Sequence, residues 1–396
     1  MKPSNGNAPA PLPDTGRPTF DERAQELFHD HPGVREPRLT PQTCRHAVVV
    51  PVMRDLAARS GGNVECEEAG HSVEGRAILH LRAGSGPLPV LLWSQMHGDE
   101  PTATQALADV LRFLPLRQAT HPWVREILDR LTLHCVPLLN PDGAEIPRRT
   151  NAGLIDLNRD ARLFATPEAR VLREVHNAVR PTHAFNLHDQ WLSSVGATGR
   201  PAALALLAPA PDELRTVTPA RLAAMKMGAA VVRAVGPFAA GNLSVYDDSF
   251  EPRAFGDTVQ SWGTSTLLIE SGHWPGDPDK TMIRRLNFVA ILAVLSALAD
   301  GSLDSFETGT YLSLAPNGKR SHALIVRNVT LRHTSGWSRR ADLGYSRDAM
   351  MEGPLLLKEV GDLAMFGALE ERDGSELLFN AADLVLESPL DDRQFC

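Results

Sequence analysis

Between residues 60 and 300 the chain repeats one pattern, in which a short run of almost unbroken apolar residues is followed by a stretch with the periodicity of an amphipathic helix. The apolar runs are "PLPVLLWSQ", "TLHCVPLL", "THAFNLH", "AALALLAP" and "TSTLLIES". A strand buried on both faces has no polar side to present, so these runs read as inner strands of a sheet covered on both sides by helices. The helical stretches are Pro101 to Leu114, with Pro near the first turn, "TPEARVLREVHNAVR", "PDELRTVTPARLAAMKMGAAVVRAV" and a long one from about Asp279 to Ala299. "NVECEEAGHSVEGRAILHLRAGSG" precedes them as two short strands about a turn at Glu74-Gly75. The expected fold class is therefore α/β, with helices on both faces of the sheet.

Composition marks the boundaries of this unit. Residues 1–20 are rich in Pro, Gly, Asn and Ala and cannot bury enough surface to order themselves, which predicts a flexible arm. The alternating unit occupies 21–302. Past "ADGSLDSFETG" the texture changes to short strand-like runs, "HALIVRNVTLRH" and "ELLFNAADLVLESPL", so a small β-rich domain is expected over 303–396.

A formal charge of -8, with no block of Lys or Arg, excludes a nucleic-acid partner. The first residues lack the apolar core of a secretory signal, and no run approaches the roughly 18 apolar residues of a membrane span. No membrane partner is expected. Cys44, Cys66, Cys135 and Cys396 are scattered without a C-x-x-C pair, which fits a reduced, cytoplasmic setting.

The chemistry-bearing residues gather where strands end. "WSQMHGDEP" sets His97 and Glu100 three apart on a turn between an apolar strand and a helix. That is the carboxyl edge at which open α/β sheets bind ligands. A catalytic zinc takes three protein donors and keeps one position open. "HAFNLHDQ" offers His188 as the third donor, with His183 as a competitor. Strand alternation puts His183 with Phe185 and Leu187, and His188 on the opposite face at the strand's end. The bland reading of each histidine is a hydrogen-bonded core residue. "RRTNAGLIDLNRDAR" brings arginines and an Asn-Arg pair that could grip a carboxylate by bidentate pairing, or could be solvated loop charge. Glu270 leaves the end of "TSTLLIES" either as a cap or ion-pair partner for the next segment or as a general base.

Taken in order, these segments resemble the zinc carboxypeptidase family, carboxypeptidase A-like, over about residues 60 to 300. "GHSVEGR" (Gly70 to Arg76) is similar to the family's Gly-x-Ser-x-Glu-Gly-Arg turn, "HGDE" to its H-x-x-E, and "NPDG" (Asn140 to Gly143) to its Asn-Pro-Asp-Gly turn. "DLNRD" (Asp156 to Asp160), "NLHDQ" and "LLIESG" resemble the Asp-x-Asn-Arg segment, the third-ligand strand end and the strand of the catalytic Glu. The resemblance implies a mixed central sheet and one zinc ion per chain on His97, Glu100 and His188. It implies hydrolysis of a C-terminal peptide bond by a zinc-bound water, with Glu270 as general base. Asp156 would orient His97. Arg149, or its neighbour Arg148, would stabilise the oxyanion. Asn158 and Arg159 would hold the substrate's free carboxylate, and Arg76 would line an outer subsite or else pair within its own hairpin.

The chain also departs from the family pattern. Tyr246 is the only tyrosine near the family's mobile one, at a slightly long spacing from Glu270. In "EPRAFGDTVQSWG" an inward Arg253 would favour acidic side chains and an inward Asp257 basic ones. The related N-acyl amino-acid deacylases, resembling aspartoacylase and succinylglutamate desuccinylase, share H-x-x-E, an Asn-Arg pair and a late Glu, and also carry a terminal β domain. The substrate is accordingly a small peptide, or alternatively an N-acyl amino acid, with a free carboxylate. A binding module that has lost activity is the reading from another class.

Overall fold

A computed structural model describes residues 17–347 and 353–390. Of the arm expected over 1–20, residues up to 16 lie outside the described residues. The remainder is already part of the body. Thr19 accepts from Glu22 N–H while the Glu22 carboxylate accepts from Thr19 N–H, a reciprocal cap that starts α1 (Phe20–Val34). "TFDE" carries this signal in the sequence.

The body is built on a sheet of eight strands. In chain order these are β1 (Val64–His71), β2 (Ala77–Ala83), β3 (Leu88–Ser94), β4 (Leu131–Val136), β5 (His183–Asp189), β7 (Leu204–Leu207), β8 (Leu243–Val245) and β9 (Ser265–Ser271); the short β6 (Ser194–Val195) lies outside it. Their spatial order is β1-β2-β4-β3-β5-β9-β7-β8. Strands β4, β3, β5 and β9 run parallel, whereas β2 is antiparallel to β4 and β7 to β9, so the sheet is mixed as expected. The chain leaves β3 for β4 on one side and then returns to β5 on the other. The carboxyl ends of β3 and β5 therefore flank a topological switch point, where a crevice must open.

Alternation along the strands feeds two cores. Val90, Leu92, Phe185, Leu187, Leu267 and Ile269 face the larger one, which is covered by α1, α2 (His46–Arg59), α3 (Thr102–Arg117), α4 (Pro122–Arg130), α7 (Pro219–Val235) and α9 (Thr281–Ala299). Leu91, Trp93, Val136 and Ala184 face the other, covered by α6 (Pro167–Val179) and α8 (Phe255–Ser261), while the five-residue α5 (Pro141–Glu145) packs through Ala144 in the larger core. His188 and Glu270 lie on this second face, because Leu187 and Ile269 beside them point to the first.

Three expectations need correction. The helical reading of 211–235 holds only from Pro219; Thr218 caps that helix and Pro219 at its first position sets the start. Helix α9 is long and apolar enough, by composition, to cross a membrane, contrary to the expectation of no such run; 83% of its apolar window is buried inside the protein, as befits a core helix. The β-rich unit also begins later than residue 303. Leu303, Phe306 and Tyr311, the last in α10 (Thr308–Leu312), pack in the larger core of the body, and the Tyr311 hydroxyl accepts from the buried Ala208 N–H at 2.9 Å.

After β10 (Asn317–Gly318), which pairs with β6, a separate sheet forms from β11 (Ser321–Arg332), β12 (Ser338–Ser346), β13 (Leu356–Gly361), β14 (Gly367–Asp373) and β15 (Leu378–Asn380). It has its own core of Leu324, Val326, Val329, Leu343, Tyr345 and Leu357. Its connection is docked beside the switch point. Asn317 Nδ2 donates to Gln190 Oε1 at 2.5 Å, and Ser321 Oγ donates to Gly199 O at 2.7 Å.

If residues 303–312 belong to the body, Tyr311→Phe leaves the Ala208 N–H buried without an acceptor. Urea unfolding followed by intrinsic fluorescence should then show a loss of about 1–3 kcal/mol in the transition of the body.

Candidate metal centre

The turn that carries His97 and Glu100 is fixed by its neighbours before any ligand is considered. Gln95 adopts a positive φ of 49° and bends the chain off β3. Its side chain donates to Gly98 O (3.0 Å) and Cys44 O (3.1 Å) and accepts from Thr104 Oγ1 (2.8 Å). Asn140 Nδ2 donates to Met96 O at 3.2 Å, while Asn140 Oδ1 caps α5 by accepting from Gly143 N–H. The two turns touch backbone to backbone, so that a Cβ on Gly98 would lie 1.9 Å from Gly143 C. Asp142 of the same "NPDG" turn accepts from Ser72 Oγ (2.6 Å), Glu74 N–H (3.0 Å) and Arg76 Nη1 (2.7 Å). "GHSVEGR", "HGDE" and "NPDG" are thus one interlocked scaffold. Arg76 pairs with Asp142 and Glu74 in that lock, which is the structural alternative rather than the outer-subsite role.

At the switch point the three expected donors converge, with one donor atom from each of His97, Glu100 and His188 lying within 4.8 Å of the others. His97 Nδ1 is 2.7 Å from Glu100 Oε1, and His188 Nδ1 is 2.9 Å from Glu100 Oε2. His97 Nε2 faces Asp156 Oδ1 at 3.0 Å. All three donors are buried. His183 sits at the opposite end of β5, away from the cluster.

The donor set fits a divalent cation on physical grounds. Neutral imidazole has one N–H, yet His97 meets a carboxylate oxygen at each nitrogen. Burial opposes a charged His97, but Glu100 and Asp156 more than offset it and push its pKa up to about 9. Burial raises Glu100 while the two imidazoles hold it well below the usual carboxylate range. A cation held by His97, Glu100 and His188 would let His97 stay neutral, with its single proton shared with Asp156.

The remaining residues divide between the cluster and its rim. Arg149 Nε donates to Asp156 Oδ2 at 3.0 Å and its Nη1 lies 3.4 Å from Glu100 Oε1, whereas Arg148 turns away to Asn151 O. Of the two alternatives, Arg149 is at the cluster. Asp156 N-caps the short turn Leu157–Arg159 by accepting from Asn158 N–H. Asn158 Oδ1 accepts from Phe255 N–H at 2.9 Å, and Arg159, half-exposed, reaches Glu251 only at 3.7 Å.

Glu270 stands in register with His188 on the adjacent strand. Its Oε2 is buried without a hydrogen-bond partner among the described residues, and burial, with the nearby carboxylates Glu100 and Asp189, pushes its pKa well above the ordinary value. Burial and the charges of Glu270 and Glu100 likewise push the Tyr246 hydroxyl up to about 12. Arg253 is exposed and bound to Glu251, so it does not point inward. Asp257 is buried, accepts from Glu251 N–H and makes no ion pair among the described residues; burial pushes its pKa up to about 6. Missing from the sequence-based set are Thr102, Asp189 and Lys280, which meet behind the donors. Asp189 adjoins His188 in the sequence, but nothing local marks Lys280.

A buried three-donor cluster of His, Glu and His at the switch point of a mixed α/β sheet is a donor set that could hold a metal ion of the catalytic type. Residues 49–191 match the model of the zinc carboxypeptidase family, and the resemblance carried by the motifs is borne out. Curated relatives include carboxypeptidase SOL1 of Arabidopsis thaliana, 27% identical over 37% of this chain and 31% of its own length. Carboxypeptidase 2 of Trichophyton rubrum is 31% identical over 35% of this chain and 27% of its own. The chain thus spans less than a third of the length of these relatives. Among solved structures, carboxypeptidase A from Helicoverpa armigera shares the fold with a TM-score of 0.51 at 18% identity, over 70% of this chain and 80% of that one. A metallo-carboxypeptidase from Burkholderia cenocepacia does so with a TM-score of 0.50 at 19% identity, over 64% and 68%.

Two outcomes are expected. Gly98→Ala forces the two turns apart and should weaken zinc binding by at least about 10-fold in a chelator competition, with the body still folded by circular dichroism. For Asp257 the folded-state pKa lies above the unfolded value of about 3.9. The native state therefore binds more protons between about pH 4 and 6, and stability falls as pH rises through that window. Asp257→Asn should raise the melting temperature at pH 7.5 and leave it little changed at pH 4 in differential scanning fluorimetry.

Proposed function

We propose that this chain hydrolyses the C-terminal amide bond of a small peptide, releasing one amino acid, with one zinc ion held by His97, Glu100 and His188. The observation that carries this reading is the placement of Glu270. It lies in register with His188 on the same sheet face, and its oxygen without a partner among the described residues and its raised pKa suit a group that takes up a proton and gives it back. Zinc, when bound, supplies Lewis acidity, polarising the scissile carbonyl and lowering the pKa of water to about 7.

The side chains then divide the work. Glu270 accepts the proton of the attacking water and delivers it to the departing amine. Arg149 donates to the oxygen on which charge develops, and Asp156 orients both Arg149 and His97. Asn158 keeps its side-chain amide N–H groups for the substrate's terminal carboxylate, because its Oδ1 is engaged with Phe255 N–H, and Arg159, which donates through Nη1 to Asn158 O at 2.7 Å and lies 3.7 Å from Glu251, turns its remaining N–H groups to the same carboxylate. Tyr246, whose hydroxyl feels the charges of Glu270 and Glu100, is the remaining substrate contact. Asp257, a buried carboxylate without an ion-pair partner among the described residues, favours a substrate with a basic C-terminal side chain over an acidic one.

The N-acyl amino-acid deacylase reading uses many of the same groups. It is not favoured, since the named relatives are carboxypeptidases. A panel of peptides differing in the C-terminal residue, run beside N-acyl amino acids, separates the two, and a protein without hydrolytic activity toward either is the binding-module outcome. Glu270→Gln should retain zinc by elemental analysis and lose about 10²–10⁴-fold in kcat. Full activity in that variant removes the general-base assignment.

A further inference from the structure

Behind the donors lies a contact that the proposed reaction does not use. Asp189 follows His188, and its backbone N–H donates to Glu100 Oε2 at 3.1 Å. Its Oδ2 accepts from Thr102 Oγ1 at 2.5 Å and from Lys280 Nζ at 3.0 Å. The Lys280 and Asp189 side chains are 11% and 2% exposed, so the ion pair is almost wholly withdrawn from water. Three segments distant in sequence meet here: the start of α3 two residues after Glu100, the end of β5 one residue after His188, and the entrance to α9.

Lys280 is brought to this place by an uncommon backbone. It has φ 50° and ψ 30°, the left-handed region, which costs a non-glycine residue about 1–3 kcal/mol and persists only where surroundings impose it. Here Asp277 imposes it by capping α9 from three residues upstream, accepting from Thr281 N–H (2.9 Å) and Met282 N–H (2.7 Å). The Lys280 side chain is left out of the cap and runs back to the sheet edge. A buried ion pair adds little net stability, because desolvation cancels most of its Coulombic gain. What it supplies is position.

We propose that Lys280, acting through Asp189 and Thr102, is a positioning residue of the metal centre. It sets the separation between the Glu100 turn and the His188 strand end, so that the donors are held apart for a divalent cation before it arrives. This rests on the metal-centre reading above. Deleting the ammonium leaves the Asp189 carboxylate buried with only Thr102, and the strand end that carries His188 loses its anchor to α9.

The test uses the full chain stripped of metal. Zinc affinity is measured by chelator competition and ligand geometry by the visible absorption of the Co²⁺ form, for wild type, Lys280→Met, Lys280→Arg and Thr102→Val. Lys280→Met should weaken zinc binding about 10–100-fold and alter the Co²⁺ spectrum, while Lys280→Arg restores most of both. Wild-type affinity and spectrum in Lys280→Met overturn the proposal. Should the metal-free Lys280→Met protein unfold, Thr102→Val decides: weakened zinc binding supports the proposal and unchanged binding overturns it. Failure of the wild-type chain itself to take up zinc or Co²⁺ would instead overturn the metal-centre reading.

Discussion

The Glu100 carboxylate, buried between two imidazoles, is the interaction around which the body of this protein is arranged. One oxygen faces His97 and the other His188, and the two histidines reach it from opposite sides of a switch point in the sheet. A carboxylate withdrawn from water is costly unless charge or hydrogen bonds compensate it. Every contact around it supplies such compensation: the two rings, the Asp189 N–H and the Arg149 guanidinium. The arrangement gathers the carboxyl groups of Glu100, Asp156, Asp189 and Glu270 in one place, where a divalent cation would favour their charged forms.

That site is stiff because its turns are locked to each other rather than to the sheet alone. Gly98 against Gly143, Asn140 against Met96 and Asp142 against three donors of the β1–β2 hairpin leave the His97–Glu100 turn little freedom. Preorganisation of this kind is what lets electrostatics act without rearrangement when charge develops. The rim is looser, with Arg159, Arg253 and Tyr246 all partly exposed. That is consistent with groups that must admit and release a substrate.

The C-terminal sheet has its own core yet is not remote from the chemistry. Its connection, through Asn317, holds Gln190, two residues past His188. The segment leaving the third donor is thus tied to α9 on one side, through Asp189 and Lys280, and to the accessory unit on the other.

How much of this was legible in the residues follows from the range of the forces involved. Strands and helices were readable because burial on both faces leaves continuous apolar runs and burial on one leaves a helical period, both local signals. The ordered motifs named His97, Glu100, His188 and Glu270, since a turn at a strand end presents its polar groups at fixed short spacing. Local signals could not choose between Arg148 and Arg149 or between Arg253 and Asp257, because neighbouring loop residues differ only in what lies across from them. Nor could they tell that Arg76 is spent on Asp142, or that residues 303–312 pack in the first core. By itself the sequence determined the fold class and singled out the three residues, His97, Glu100 and His188, that converge in the structure. Only the tertiary structure decided which arginine faces the cluster, that Asp257 is buried, and that Lys280 reaches Asp189 from 91 residues away. Such pairings depend on how distant segments are juxtaposed, and no local pattern encodes that.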